Sequence, residues 1–520
     1  MNQYWKRIVF SSLMMNTIIS TSTIAQEPNH LKDPSYQIDR AEDNTQKSYS
    51  SESCYTSGLS RQAQCYSLKR PLFVADADGD SITLGGIIAP AQAPTSLTDP
   101  LIILVGGPGQ GASDMTGALL PLFNKVRNKR DIVFFDIRGT GKSSPLACSP
   151  EKKLSPLTHV SIEEMITQIK ICTQDKARQI TSYTSMTAVA DLESLRMALG
   201  AERINLWGAS YGTRLAQLYM RSHPERVRTA VLDGLVPFKP SYIQTQDTNA
   251  FVSLKTLIED CKQSIECNKA FPEFNPIELL DRLGDREPIR YQHPVTGDEI
   301  VTVTSRSVVA QTLFSNLYKT QSRAFIPWIL TQAVEHNEWG PMATLAVDSG
   351  EYLGVKSLYT GAYFSVVCSG ELRRNPAEHR QADVRSPAYA FSKGVPRKQL
   401  KTLCDNWPVS DVAEVLPGPT KAAEEIPVFL ISGALDPITP PVMADSIIVE
   451  FPKSRHLIIE KGGHINSDRP CMRDLISDFL SDPTDAFKTI DGNKICENEV
   501  FSMPFVTNTL GAFVRGNRND

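Results

Sequence analysis

Apolar runs of strand length recur along the chain, and most of them end in a turn bearing glycine or aspartate. The stretches 81–88, 100–105, 131–136, 204–207, 229–234, 427–432 and 456–460 are such runs, and all but the first end in that kind of turn. The last few run nearly without polar interruption, as in Val428-Phe429-Leu430-Ile431, which predicts strands buried on both faces of a parallel sheet. Between them lie helical periodicities. Residues 185–199 carry Met186, Val189, Leu192, Leu195 and Leu199 on one face and stop at Gly200, a good residue to close a helix. Strands alternating with helices predict a mainly parallel, doubly wound α/β sheet with its site at the carboxyl ends of the strands. From about 238 to 425 the pattern changes to a domain-sized, mostly helical insertion, with helices expected at 307–318 and 323–336. An insertion at that point is expected to fold over the strand ends as a cap that filters substrates and excludes water.

The chemistry gathers at three of these strand ends. Gly208-Ala209-Ser210-Tyr211-Gly212 follows one apolar run and precedes the helical stretch 213–219. This is the layout of a nucleophile elbow, a sharp turn that lifts the serine Oγ above the sheet and needs small residues on either side. Asp436 comes just past the run 427–432, and His464 follows the run 456–460 in Lys461-Gly462-Gly463-His464. Serine is a poor nucleophile at neutral pH, so an imidazole must take its proton and a carboxylate must hold that imidazole. The order serine, acid, histidine is the chain order of α/β-hydrolases. Upstream, Gly106-Gly107-Pro108-Gly109-Gln110-Gly111 follows the run 100–105. Gly107 is the candidate there to turn an N–H toward the reacting carbonyl, with the N–H of Tyr211 completing an oxyanion hole. Singly, a serine between glycines, an Asp-Pro pair and a histidine after two glycines are ordinary turn and loop residues. Jointly, in order and at strand ends, they point to catalysis. Gly141-Lys142-Ser143 mimics the end of a nucleotide-binding loop, but the position that needs the first glycine is Asp136. No nucleotide site and no cofactor are indicated.

Composition narrows the class. The chain has 520 residues, 41% hydrophobic and 22% charged, with a formal charge of −4. That length predicts two packed lobes, and the mildly acidic balance argues against nucleic acid as a partner. Lys6-Arg7 followed by an apolar stretch, with Thr23 and Ala25 as small residues, reads as a signal peptide over 1–25 cut after Ala25. The polar stretch 26–50 is expected to be a flexible arm, and no membrane span is expected in the mature chain. Ten cysteines fit an oxidising compartment, periplasmic or extracellular. Their spacing invites the pairs Cys54–Cys65, Cys148–Cys172, Cys261–Cys267, Cys368–Cys404 and Cys471–Cys496, and none lies in a metal-ligand pattern.

Several segments carry a resemblance. Cys65-Tyr66-Ser67-Leu68-Lys69-Arg70-Pro71-Leu72, Gly106-Gly107-Pro108-Gly109, Asp136-Ile137-Arg138-Gly139-Thr140-Gly141-Lys142-Ser143, Gly208-Ala209-Ser210-Tyr211-Gly212-Thr213, Leu435-Asp436-Pro437-Ile438-Thr439-Pro440-Pro441 and Gly463-His464 are its pieces. With these the chain resembles the prolyl iminopeptidase and tripeptidyl aminopeptidase family of α/β-hydrolases, in particular exported members with a TAP-like C-terminal region. Many members carry histidine where this chain has Val105, which bears on loop geometry. The resemblance implies a core at 51–237 and 426–520 with the cap at 238–425. It also implies peptide substrates with a free N-terminus, released as a prolyl, dipeptidyl or tripeptidyl unit. Glu371 falls where relatives carry an acidic cap residue and is the candidate ligand of the substrate ammonium, against a reading as a solvated surface glutamate. A carboxylesterase or lipase would use the same triad. A non-catalytic binding protein is the reading from another class.

Overall fold

The computed structural model describes residues 48–508 except 57, 60–61, 75–78, 149–154, 240–241, 353–357, 373–390, 392–394, 411–414 and 492–502. The expected leader and most of the expected arm lie outside this range. The first strand opens at Tyr49, so the last two arm residues belong to the sheet.

The chain builds a nine-stranded sheet from β1 (Tyr49–Cys54), β2 (Ala63–Pro71), β3 (Ser81–Ala89), β4 (Leu101–Leu104), β5 (Ile132–Phe135), β6 (Ile204–Ala209), β7 (Val227–Asp233), β10 (Val428–Gly433) and β11 (Ser454–Ile459). Their spatial order is β1-β2-β3-β5-β4-β6-β7-β10-β11. From β5 to β11 every pairing is parallel, whereas β1, β2 and β3 pair antiparallel with one another and β3 runs antiparallel to β5. The connections explain the split, since β2 and β3 follow each other closely in sequence and a parallel partner needs a longer crossover.

Alternate residues of the central strands face two different cores. Ile102, Leu104, Val133, Phe135, Leu206 and Leu430 enter one. Leu101, Ile103, Ile132, Phe134, Trp207 and Phe429 enter the other. The first core is closed by α1 (Ser185–Ala198) through Val189, Leu192 and Leu195, and by α2 (Tyr211–Ser222) through Leu215, Leu218 and Met220. The α1 periodicity is therefore used as the sequence predicts. Helices on both faces make the sheet doubly wound, and full burial of each such side chain is worth about 1.5–3 kcal/mol.

After β7 the chain leaves the sheet and returns only at β10. The insertion has its own core around Leu254 and Leu257 of α3 (Tyr242–Gln263), Leu313 of α4 (Arg306–Asn316) and Trp328 and Leu330 of α5 (Ile326–His336). Both expected helices form. The Ser305 hydroxyl starts α4 by accepting the N–H of Val308, and Asn337 in the left-handed region ends α5. A hairpin of β8 (Glu287–Gln292) and β9 (Glu299–Thr304), absent from the sequence reading, is also part of the insertion. The second core of the main sheet is covered by α7 (Pro470–Ser481), with α6 (Thr360–Val366) preceding it in the insertion.

Four of the expected disulfides are present: Cys54–Cys65, Cys148–Cys172, Cys261–Cys267 and Cys368–Cys404, with Cα–Cα separations of 5.7, 5.3, 5.1 and 5.2 Å. Cys471 is also disulfide-bonded, while its expected partner Cys496 lies outside the described residues. Among the described residues no helix is long and apolar enough to cross a membrane.

Candidate active site

Ser210 stands between β6 and α2 with φ 54° and ψ −124°, a strained conformation for a residue with a side chain. Its N–H donates to the Asp233 carbonyl at 2.9 Å, which ties the turn to the end of β7. The flanking glycines are sterically required. A β-carbon on Gly212 would lie 2.0 Å from the Leu104 carbonyl oxygen, and one on Gly208 would lie 2.7 Å from the carbonyl oxygen of Gly212. Strand and helix therefore meet at the spacing that the elbow pattern predicts. Tyr211 is the first residue of α2, where backbone N–H groups lack partners within the helix. Its ring is buried, and its hydroxyl is 2.6 Å from Ser185 Oγ at the start of α1.

The glycine-rich loop lies against the serine. A β-carbon on Gly106 would come within 2.8 Å of Ser210 Cβ and 3.2 Å of its Oγ. Gly107 follows with φ 105° and is exposed. The segment that follows the loop is held by Asp136, just past β5. One Asp136 oxygen accepts the Ser113 N–H at 2.8 Å, and the other accepts Ser113 Oγ at 2.5 Å and the Lys142 N–H at 2.8 Å. Burial pushes the Asp136 carboxyl up to about 6, against the pull of these hydrogen bonds. The nucleotide-loop mimic is absorbed here as scaffolding. The Ser143 hydroxyl accepts the Gly85 N–H at 3.0 Å, and Arg138 makes a two-pronged, buried ion pair with Asp191 of α1 at 2.7 and 2.8 Å.

Asp436 and His464 meet. His464 Nδ1 is 2.8 Å from Asp436 Oδ2, with both residues buried. The other Asp436 oxygen accepts the N–H groups of Ile438 and Thr439, each at 2.9 Å. An imidazole whose Nδ1 donates to a carboxylate presents a basic Nε2. Gly234, the residue after β7, borders the histidine. A β-carbon there would lie 2.9 Å from the His464 carbonyl oxygen and 3.2 Å from its Cε1. Ser210 is thus hydrogen-bonded to Asp233, and His464 packs closely beside the next residue, Gly234.

The cap grips both loops. The His464 N–H donates to the Tyr318 carbonyl at 2.9 Å, and the Tyr318 ring meets the imidazole edge-on at 4.9 Å. On the other side, the Tyr359 N–H donates to the Gly109 carbonyl at 2.8 Å and the Tyr359 hydroxyl to Asp114 at 3.0 Å. Glu371 is not a surface residue. It is 3% exposed and accepts Arg214 Nη1 of α2 at 2.6 Å, while Arg214 Nη2 donates to the Pro237 carbonyl. It closes a π-helical turn, Val367–Glu371, that continues α6.

The sequence reading assigned no role to three residues that touch this constellation. Thr439 donates its hydroxyl to Asp436 Oδ2 at 2.6 Å and lies 3.1 Å from His464 Nδ1. Its place three residues after an aspartate is a turn spacing that could have flagged it. Asp233 was legible only as the end of a strand. Tyr318 had no signal, because its contact with His464 spans much of the chain.

A strained serine after a central strand, a glycine loop beside it and an Asp–His pair beyond the next strands constitute the α/β-hydrolase fold. Residues 99–257 match a family model described as alpha/beta hydrolase fold, and residues 389–487 match one described as TAP-like protein. The chain is 26% identical to the YuaR protein of Escherichia coli over 59% of its own length and 62% of YuaR. It is 24% identical to serine protease Hip1 of Mycobacterium tuberculosis over 73% of this chain and 77% of that one. A proline iminopeptidase of Xylella fastidiosa is 33% identical over 26% of this chain and 32% of its own. The chain has the α/β-hydrolase fold and is similar to TAP-like proteins and proline iminopeptidases.

Two measurements follow from these contacts. Glu371→Gln removes the carboxylate from a buried ion pair with Arg214 and is expected to cost about 3 kcal/mol of stability, read from denaturant unfolding. For Asp136, the native state holds a proton between the ordinary carboxyl range near 3.9 and about 6 that the unfolded chain has released. Stability therefore falls as pH rises through that window. Between pH 4 and 6.5 the stability difference should move toward Asp136→Asn by up to about 3 kcal/mol, in unfolding curves of both proteins.

Proposed function

We propose that this chain is an exported serine aminopeptidase that acts near a free peptide N-terminus through an acyl-enzyme on Ser210. The hydrogen bond between Asp436 and His464 Nδ1 carries the reading, because it leaves Nε2 as the base. Two relatives named as a serine protease and a proline iminopeptidase support peptide over ester. The disulfides support export.

In this mechanism His464 Nε2 takes the Ser210 Oγ proton as Oγ bonds to the scissile carbonyl carbon. The carbonyl π electrons move to oxygen, and the N–H groups of Gly107 and Tyr211 stabilise that oxyanion. Collapse breaks the C–N bond, and the imidazolium delivers its proton to the leaving amine. Water then attacks the ester, giving its proton to His464, and a second collapse restores the serine and frees the N-terminal fragment. Segments 51–237 and 426–520 supply this machinery, while 238–425 decides what reaches it.

A carboxylesterase is the second reading, and the Arg214–Glu371 pair is the observation that favours it. A carboxylate already matched by a guanidinium offers little net charge to a substrate ammonium. A rate panel on purified mature protein separates the two. It compares Pro-, Ala- and Ala-Ala-Pro-anilides, free and N-blocked, with a short-chain nitrophenyl ester. The expected result is turnover of free but not blocked anilides, with kcat falling about a million-fold in Ser210→Ala. Ester turnover alone, lost in the same variant, establishes the esterase.

A further inference from the structure

Asp233 ends β7 fully buried, yet the reaction gives it nothing to do. Its main chain and side chain point to two different parts of the machinery. The carbonyl accepts the Ser210 N–H at 2.9 Å. The carboxylate Oδ2 collects three donors from the segment just after His464: Asn466 N–H at 2.8 Å, Ser467 N–H at 2.7 Å and Ser467 Oγ at 2.7 Å. A fourth bond closes the figure, since Trp207 Nε1 in β6 donates to Ser467 Oγ at 3.1 Å.

The chemistry of the donors matters. All three are neutral, and among the described residues no lysine or arginine forms an ion pair with Asp233. Its second oxygen, Oδ1, has no hydrogen-bond partner. Burial accordingly pushes the carboxyl up to about 6, with the loop hydrogen bonds and His464 pulling the other way. Holding an unpaired carboxylate in a dry interior is costly. A residue there to bind a helix or fill a core would be better uncharged. Three donors converge on one oxygen, and an ionised carboxylate holds them with charge-assisted hydrogen bonds roughly twice as strong as those to the neutral oxygen of an amide.

We propose that Asp233 is the positioning residue that sets the separation of Ser210 and His464, its backbone holding the nucleophile's turn and its carboxylate the base's loop. This rests on the reading of Ser210 and His464 as nucleophile and base. Gly234 reinforces the arrangement from the next position, pressed against the His464 carbonyl and Cε1. The far side of the same loop is held by the cap through the Tyr318 carbonyl, so the carboxylate is the core half of a two-sided grip.

The test is Asp233→Asn, with kcat expressed per active site titrated by a fluorophosphonate and KM measured on the best substrate of the rate panel. The expected result is a roughly 10- to 100-fold loss of kcat with KM changed by less than about threefold, since a small error in nucleophile–base spacing slows chemistry and leaves binding alone. Ser467→Ala removes one of the three donors and should give the same split at smaller size; it decides the matter if the aspartate variant does not fold. Wild-type kcat per titrated site in either folded variant, with only a lower unfolding temperature, would overturn the proposal and leave Asp233 a structural residue. Failure of the wild type to label at Ser210 would overturn the catalytic reading beneath it, an outcome recognisable without either variant.

Discussion

A carboxylate buried at the end of a β-strand must gather hydrogen-bond donors, and in this protein the donors come from the loops that carry the chemistry. Asp136 follows β5 and takes the N–H groups of Ser113 and Lys142. Asp233 ends β7 and takes those of Asn466 and Ser467. Asp436 lies past β10 and takes Ile438, Thr439 and the His464 imidazole. Each aspartate leaves the sheet at its carboxyl edge, where the strands stop supplying partners and only loops can. The desolvation of an ionised carboxylate costs several kcal/mol, so each of these loops is drawn into one geometry or the site pays for an orphaned charge. The segment after the glycine loop, the segment after His464 and the turn that meets the His464 ring are thus set by the same requirement applied three times.

This constraint explains why the elbow tolerates its strain. Ser210 at φ 54° is unfavourable alone, but its N–H is taken by Asp233 and its neighbours are wedged between Leu104 and α2. The strained residue is over-determined from both sides, which is the condition under which such backbone persists. Tyr211 extends the restraint outward through its hydroxyl bond to Ser185, so α1 as well as α2 supports the turn.

Much of this was readable in the sequence because it is local. An apolar run followed by Gly208-Ala209-Ser210-Tyr211-Gly212 needs no distant partner to be understood, and helix periodicity marked α1, α4 and α5 closely. Four cysteine pairs also followed from spacing, each closing a short stretch of chain. What escaped is what joins remote segments. Asp233 looked like the last residue of a strand, Thr439 like part of a proline-rich turn, and Tyr318 like the end of an amphipathic helix. The hairpin β8–β9 escaped for another reason: one face of β9 is exposed at Val301, so its apolar pattern never distinguished it from the helices around it. Glu371 was misjudged in its surroundings, since nothing near Val367-Cys368-Ser369-Gly370-Glu371 signals an arginine that lies in α2.

That arginine changes how the cap and the core relate. Arg214 sits four residues after Ser210, and Glu371 ends a turn of π-helix that continues the cap helix nearest the glycine loop. The ion pair is buried, so breaking it costs about 3 kcal/mol or more, and the cap cannot shift at this point without that penalty. The Tyr318–His464 and Tyr359–Gly109 contacts attach the same cap to the His464 loop and to the glycine loop. The helix after Ser210, the His464 loop and the glycine loop are therefore each bonded to the insertion. A substrate that displaces the cap strains all three together, and one that fits beneath it leaves the catalytic geometry intact. Under the proposed function, selectivity is expressed through kcat as much as through binding, because the insertion that would meet the substrate is bonded directly to the residues proposed to react.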